Sequence, residues 1–135
     1  MLTGTQKLLY RDCYLILTGN LIIADQANFT LYNAFLFLNT SYPGEFNITV
    51  KDQATLKAVD SCIISPEERE PELAPWAWDN KTWLYCMDQA TVNITGGEHF
   101  ISFNCTGGFT IFLHGACVSM WGVILCEGEA DLTIR

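Results

Sequence analysis

The chain has 135 residues, half of them hydrophobic and only 16% charged. This is too apolar for disorder and long enough for one domain but not two, so residues 1–135 are read as a single domain. Seven Lys and Arg against fifteen Asp and Glu leave a net charge of −8, which repels a phosphate backbone and argues against nucleic acid as a ligand.

Taken in chain order, the sequence repeats a short unit. It opens weakly at Gly4-Thr5-Gln6-Lys7-Leu8 and returns as Asp25-Gln26-Ala27-Asn28-Phe29, Asp52-Gln53-Ala54-Thr55-Leu56 and Asp88-Gln89-Ala90-Thr91-Val92. Two further copies follow, Gly107-Gly108-Phe109-Thr110-Ile111 and Gly128-Glu129-Ala130-Asp131-Leu132. The starts at 4, 25, 52, 88, 107 and 128 give a period near 20 residues with insertions in the second and third units. The first position of each unit is Gly or Asp, and the position eight later is Asp12, Asn33, Asp60, Gly96 or Gly115. All of these tolerate turn geometry. Between the two turn columns, apolar residues alternate strictly, as in Ala27, Phe29, Leu31 and Ala90, Val92, Ile94. The residues before the first turn alternate as well, as in Ile48 and Val50 or Leu84 and Cys86. Each unit therefore reads as strand, turn, strand.

A unit of this size cannot bury its own apolar face, so copies must stack, each strand pairing in parallel with its equivalent. The expectation is an all-β fold, a parallel β-solenoid or stack of β-arches with about six rungs, in which Phe29, Leu56, Val92, Ile111 and Leu132 form one buried column. An immunoglobulin-like sandwich is the alternative, and the aligned turn columns argue against it. Two inserted loops leave the stack. Residues 39–45 are a short Pro-Gly loop, and residues 66–81 are an acidic arm interrupted by Pro66, Pro71 and Pro75, with Trp76 and Trp78 as docking anchors for a partner.

Six cysteines without a Cys-x-x-Cys pair point to an oxidising compartment. Cys86, Cys105 and Cys126 share one inward column, Cys62 and Cys117 share another, and Cys13 lies one position off it. All six are disulfide candidates, with core packing as the other reading of the columns. Zinc would need a fourth ligand and an inward histidine, and neither is evident. Eight Asn and eighteen Ser plus Thr should give about one Asn-x-Ser/Thr triplet by chance, yet six occur, at Asn28, Asn39, Asn47, Asn80, Asn93 and Asn104. The direct reading is an N-glycosylated protein outside the cytoplasm, with the loop acceptors Asn39 and Asn80 modified first and the strand acceptors pointing outward. No stretch reaches the roughly 18 apolar residues of a membrane span, and no signal segment is evident. Either such a signal was removed or the sequence is a piece of a longer chain.

Catalytic equipment is sparse. His99 and His114 are the only histidines, and no nucleotide loop or nucleophile elbow occurs, so an enzyme is not expected. Asp25, Asp52 and Asp88 fall on one corner of three successive units, where stacked carboxylates either raise one another's pKa or recruit Ca²⁺. The plainer reading is that each caps its own turn, and no cofactor is expected. The first unit begins almost at once and the last stops half built, which places assembly residues at Leu8 and Tyr10 on one side and Ala130, Leu132 and Ile134 on the other. Such open edges propagate head to tail between identical subunits, with partly apolar outer faces left for lateral neighbours.

The Asp-Gln-Ala-[Asn/Thr]-[Phe/Leu/Val] unit, with its many sequons, several Cys and uncapped arches, resembles extracellular β-helix and β-arch repeat proteins, in particular the amyloid-like sheath proteins of methanogenic archaea. The resemblance covers nearly the whole chain outside the two loops. It implies a structural cell-envelope protein, a sheath or surface-layer glycoprotein, that polymerises into rings or filaments and has no catalytic residues. A secreted or cell-surface binding module, an adhesin or receptor ectodomain, is the alternative, followed by a polysaccharide-active β-helix enzyme.

Overall fold

The computed structural model describes residues 1–41, 45–64, 82–99, 102–115, 117–118, 124–127 and 131–134. Among the described residues sixteen strands form three parallel sheets, and none is helical. The first sheet contains β1 (Lys7–Arg11), β4 (Asn28–Tyr32), β7 (Thr55–Val59), β10 (Thr91–Thr95), β13 (Thr110–His114) and β16 (Asp131–Ile134), bonded in that order. The second contains β2 (Tyr14–Leu17), β5 (Phe35–Leu38), β8 (Cys62–Ile64), β11 (Glu98–His99) and β14 (Cys117–Val118). The third contains β3 (Leu21–Ile23), β6 (Ile48–Val50), β9 (Trp83–Asp88), β12 (Ser102–Gly107) and β15 (Ile124–Glu127). Each strand thus pairs with strands three places away in chain order, on both sides for the inner strands, a connectivity compatible with a β-solenoid-like fold.

The pairing follows the sequence repeat residue for residue. Leu8, Phe29, Leu56, Val92, Ile111 and Leu132 are Cα partners from each strand of the first sheet to the next. The alternation then sets the faces: Phe29, Leu56, Val92 and Ile111 are buried in one core cluster with Ile48, Val50, Leu84 and Cys86. Burying each such side chain contributes on the order of 1.5 to 3 kcal/mol, so the columns supply most of the driving force for folding. Ala58 lies between Leu31 and Ile94 in its column, where large neighbours fill the space a small residue leaves.

Both turn columns adopt the backbone that their residue types foretell. Gly4, Asp25, Asp52, Asp88 and Gly107 all have positive φ, between 57° and 91°, where the third sheet hands over to the first. Asp12, Asn33, Asp60, Gly96 and Gly115 do the same, between 46° and 69°, where the first hands over to the second. A single left-handed residue reverses the chain direction tightly, and Gly, Asn and Asp carry the smallest steric cost there. Gly97, with φ 78°, is needed for a further reason: a Cβ there would collide with the carbonyl oxygen of Ser61.

The two-strand unit expected from the sequence is corrected by the second sheet. A third strand follows the second turn in the first five repeats. Its sequences, Tyr14-Leu15-Ile16-Leu17 and Phe35-Leu36-Phe37-Leu38, are apolar on both faces, so the period-2 signal that marks the other strands is absent. The inserted residues 39–45 and 66–81 both fall between a strand of the second sheet and the next strand of the third, at the one corner that has no fixed turn residue.

Candidate functional site

Three surfaces carry the chemistry of this molecule. The first is the corner built from the Asp-Gln repeats. The Asp carboxylates do not cap their own turns, as the sequence led one to expect; each accepts a hydrogen bond from the backbone of the preceding repeat. Gly4 N–H donates to Asp25 Oδ2 at 2.8 Å, Asp25 N–H to Asp52 Oδ2 at 3.1 Å, and Asp52 N–H to Asp88 Oδ2 at 3.2 Å. Each turn is closed instead by its backbone, with Ala27, Ala54 and Ala90 N–H donating to the carbonyls of Ala24, Lys51 and Met87, all at 3.1 Å. Beside the carboxylates runs a row of exposed amides, Gln26, Gln53 and Gln89, the first donating to the second at 3.4 Å. Together the two rows line an open groove of about 750 Å³. Asp25, Asp52 and Asp88 are thereby brought together as the repeat implied, but among the described residues no group of three or more His, Cys, Asp or Glu is arranged to hold a metal ion.

The second surface is the outer side of β1, β4 and β7. Lys7, Arg11 and Lys57 lie there, three of the four Lys and Arg side chains among the described residues. The Arg11 guanidinium carbon is 5.0 Å from the centroid of the Tyr32 ring and Lys57 Nζ is 5.9 Å from it. Each contact is worth about 0.5 to 1 kcal/mol at an exposed site and holds the cation near the ring. Among the described residues no carboxylate pairs with these cations, although Asp12 and Asp60 occupy the adjoining corner. The sequence reading missed this cluster because its members lie on three strands spread over 50 residues of chain and only the strand register brings them together.

The third surface is the outer side of the second sheet together with the strands at its edge. Tyr14 and Ile16 are 56% and 60% exposed and Phe35 is 45% exposed, with the Tyr14 and Phe35 rings stacked at 5.8 Å. Among the described residues β1, β2 and β3 are the end strands of the three sheets on one side, with Leu2 bonded to β3, and β16, β14 and β15 are the end strands on the other. At the first edge Leu8 is 37% and Leu9 55% exposed, while Tyr10 is half-buried against the core. The aromatics Trp83, Tyr85 and Phe112, at outward strand positions, are half-buried, with the Trp83 and Tyr85 rings 6.5 Å apart.

The cysteine columns are reproduced by the register, with Cys105 opposite both Cys86 and Cys126, and Glu98 lying between the Cys62 and Cys117 positions. Cys13 and Cys62 are half-buried thiols, and the buried Cys86 thiol donates to the Ala90 carbonyl at 3.7 Å. One histidine does point inward, contrary to the sequence reading. His99 is fully buried in the column of Leu36 and Ile63, its Nε2 3.0 Å from the Gly96 carbonyl and its Nδ1 without a partner among the described residues. Burial pushes its pKa below the ordinary histidine value, and the Gly96 carbonyl offsets part of that.

Of the sequon residues, Asn39 is exposed, and Asn28, Asn93 and Asn104 are half-buried at outward strand positions. Asn47 is tied into the fold instead: its own N–H donates to Asn20 Oδ1 at 2.8 Å, and its Oδ1 accepts from Trp83 N–H at 3.2 Å. Asn80, Trp76 and Trp78 lie outside the described residues, as do the side chains of Ala130, Leu132 and Ile134. Among the described residues no helix is long and apolar enough to cross a membrane. Comparison of the chain with family models, with curated proteins and with solved structures gave no match.

Proposed function

We propose that this chain is a structural glycoprotein of the cell envelope that polymerises head to tail, that each successive trio of strands is one rung of a parallel β-solenoid, and that it has no catalytic activity and no bound cofactor. The observation that carries the reading is the edge strand β1. It bonds to β4 on one side only among the described residues, and its inward residues Leu8 and Tyr10 stand in the same columns as Phe29 and Leu31. Strand β16, at the opposite edge of the same sheet, continues those columns with Leu132 and Ile134. A second copy placed with its β1 against β16 of the first would continue both the backbone ladder and the core without a change of register, a heterologous contact that propagates. The six sequons and the six cysteines support an extracellular location.

The test is the size of the native protein. Filaments or rings seen by electron microscopy, lost in Leu8→Lys and in Leu132→Lys variants that keep their β-rich circular dichroism, are the expected result. A wild-type protein that stays monomeric at its highest soluble concentration would overturn it. That outcome would favour the second reading, a binding module, for which the exposed Tyr14, Ile16 and Phe35 face is the supporting observation.

A further inference from the structure

The outer side of β1, β4 and β7 is a cationic island on an acidic molecule. The outward residues around Lys7, Arg11 and Lys57 are Leu9, Asn28, Thr30, Tyr32, Thr55 and Val59, and none is acidic. The chain as a whole carries −8, so cations left without carboxylate partners are most readily matched by an anionic surface. One such surface stands on the same molecule, at a different place: the groove in which Asp25, Asp52 and Asp88 repeat beside Gln26, Gln53 and Gln89.

The two surfaces are opposite in sign and both extend across successive repeats. Arg11 and Lys57 sit two strands apart on the first sheet and two residues apart along it, since Arg11 is opposite Tyr32 and Lys57 is opposite Thr30, and Asp25 and Asp88 sit two repeats apart along the corner. Measured across the strands, both intervals are about 10 Å. The long Arg and Lys side chains of this diagonal pair can reach two carboxylates of the ladder on another copy, and the intervening amides are free to hydrogen-bond to the Tyr32 hydroxyl or the Thr30 and Thr55 hydroxyls. Tyr32 holds Arg11 and Lys57 near its ring, which reduces the side-chain freedom lost when they dock.

We infer that the Lys7, Arg11 and Lys57 face of one copy docks on the Asp-Gln groove of a second copy, as the lateral contact between neighbouring subunits. The inference deepens the assembly reading, since it names the sideways partner of a chain proposed to polymerise along its axis. Because the two surfaces differ, the contact is heterologous and extends an array rather than closing a dimer. Being exposed and ionic, it is sensitive to salt, with a screening length of about 8 Å at 0.15 M falling to about 3 Å at 1 M.

The test uses the full chain, with axial and lateral association read separately. Axial growth is scored as single filaments by electron microscopy, and lateral association as bundling there and as large species by sedimentation in low and in 1 M NaCl. Lys57→Glu, on a strand bonded on both sides within the chain, should leave single filaments intact and weaken lateral association by about tenfold, as high salt should in the wild type. Adding Gln53→Lys and Gln89→Lys to that variant places cations in the groove for the new carboxylate to meet, leaves the Asp ladder untouched, and should restore lateral association. Circular dichroism and the thermal midpoint identify a variant that has merely unfolded; Lys57→Gln then replaces it, with a smaller loss expected. Bundling that ignores both salt and charge reversal, or that the compensating pair does not restore, would overturn the inference while leaving axial assembly untouched. Absence of single filaments, with salt-sensitive lateral species still present, would instead overturn the axial reading alone. Polygalacturonate is the competing probe: its binding to the wild type, abolished by the charge reversal in a protein showing no salt-sensitive self-association, would give the face to an acidic polysaccharide and overturn the inference.

Discussion

At the scale of single residues, the turn columns show how one side chain can serve two purposes. Asp52 accepts the left-handed backbone and also receives the N–H of Asp25. Glycine occupies the same column at Gly4 and Gly107, so Asp52→Gly keeps the turn and removes only the hydrogen bond, with an expected loss of about 1 kcal/mol. Asp52→Ala removes the bond and adds left-handed strain, and should cost about 2 to 3 kcal/mol in urea unfolding. Gly97→Ala should be worse than either, because its Cβ meets the Ser61 backbone, which cannot yield as a flexible side chain does. His99 gives the fold a pH dependence of definite sign. Its folded pKa lies below its unfolded one, so the unfolded state binds the extra proton, and stability should fall as pH drops from the unfolded value toward the folded one. Unfolding measured at pH 7.5 and 5.5 should show that loss in the wild type and a smaller one in His99→Leu. Among the acceptors, Asn39 should carry glycan in intact-mass analysis of protein from a glycosylating host, whereas Asn47, already engaged with Trp83 and Asn20, should stay bare.

At the scale of elements, the strands differ in how plainly the sequence announces them. Those of the first sheet alternate apolar and polar residues because one face is core and the other meets solvent, and their register follows directly from the repeat. Those of the second sheet do not, since Tyr14, Ile16, Phe35 and Phe37 put apolar side chains on the outer face as well. Periodicity is blind to a strand with two apolar faces, and the third strand of each repeat was legible only as length left over after the second turn. The central strands hold the core. Leu56→Ala, between Phe29 and Val92, should cost about 2 to 5 kcal/mol in chemical unfolding, because neighbours held on both sides cannot collapse into the cavity.

At the scale of the whole molecule, every strand touches its counterparts in neighbouring repeats, so stability should be distributed along the array rather than pooled in one place. Hydrogen exchange under dilute conditions should be slowest in β4, β7 and β10, which are bonded on both sides, and fastest in β1, which is bonded on one. On assembly the β1 amides that face away from β4 should become protected; unchanged exchange there in an assembled sample would rule β1 out as the contact. The repeat, both turn columns, the alternating strands and the buried column from Phe29 to Ile111 were determined by the sequence alone, because each rests on local chemistry: side-chain alternation, left-handed turn residues and a recurring spacing. Tertiary structure decided the rest. The second sheet, the carboxylate ladder between repeats, the inward His99 and the gathering of Arg11, Tyr32 and Lys57 all depend on which residues strand pairing sets side by side across separations of about 20 to 40 residues, and no local pattern encodes that neighbourhood.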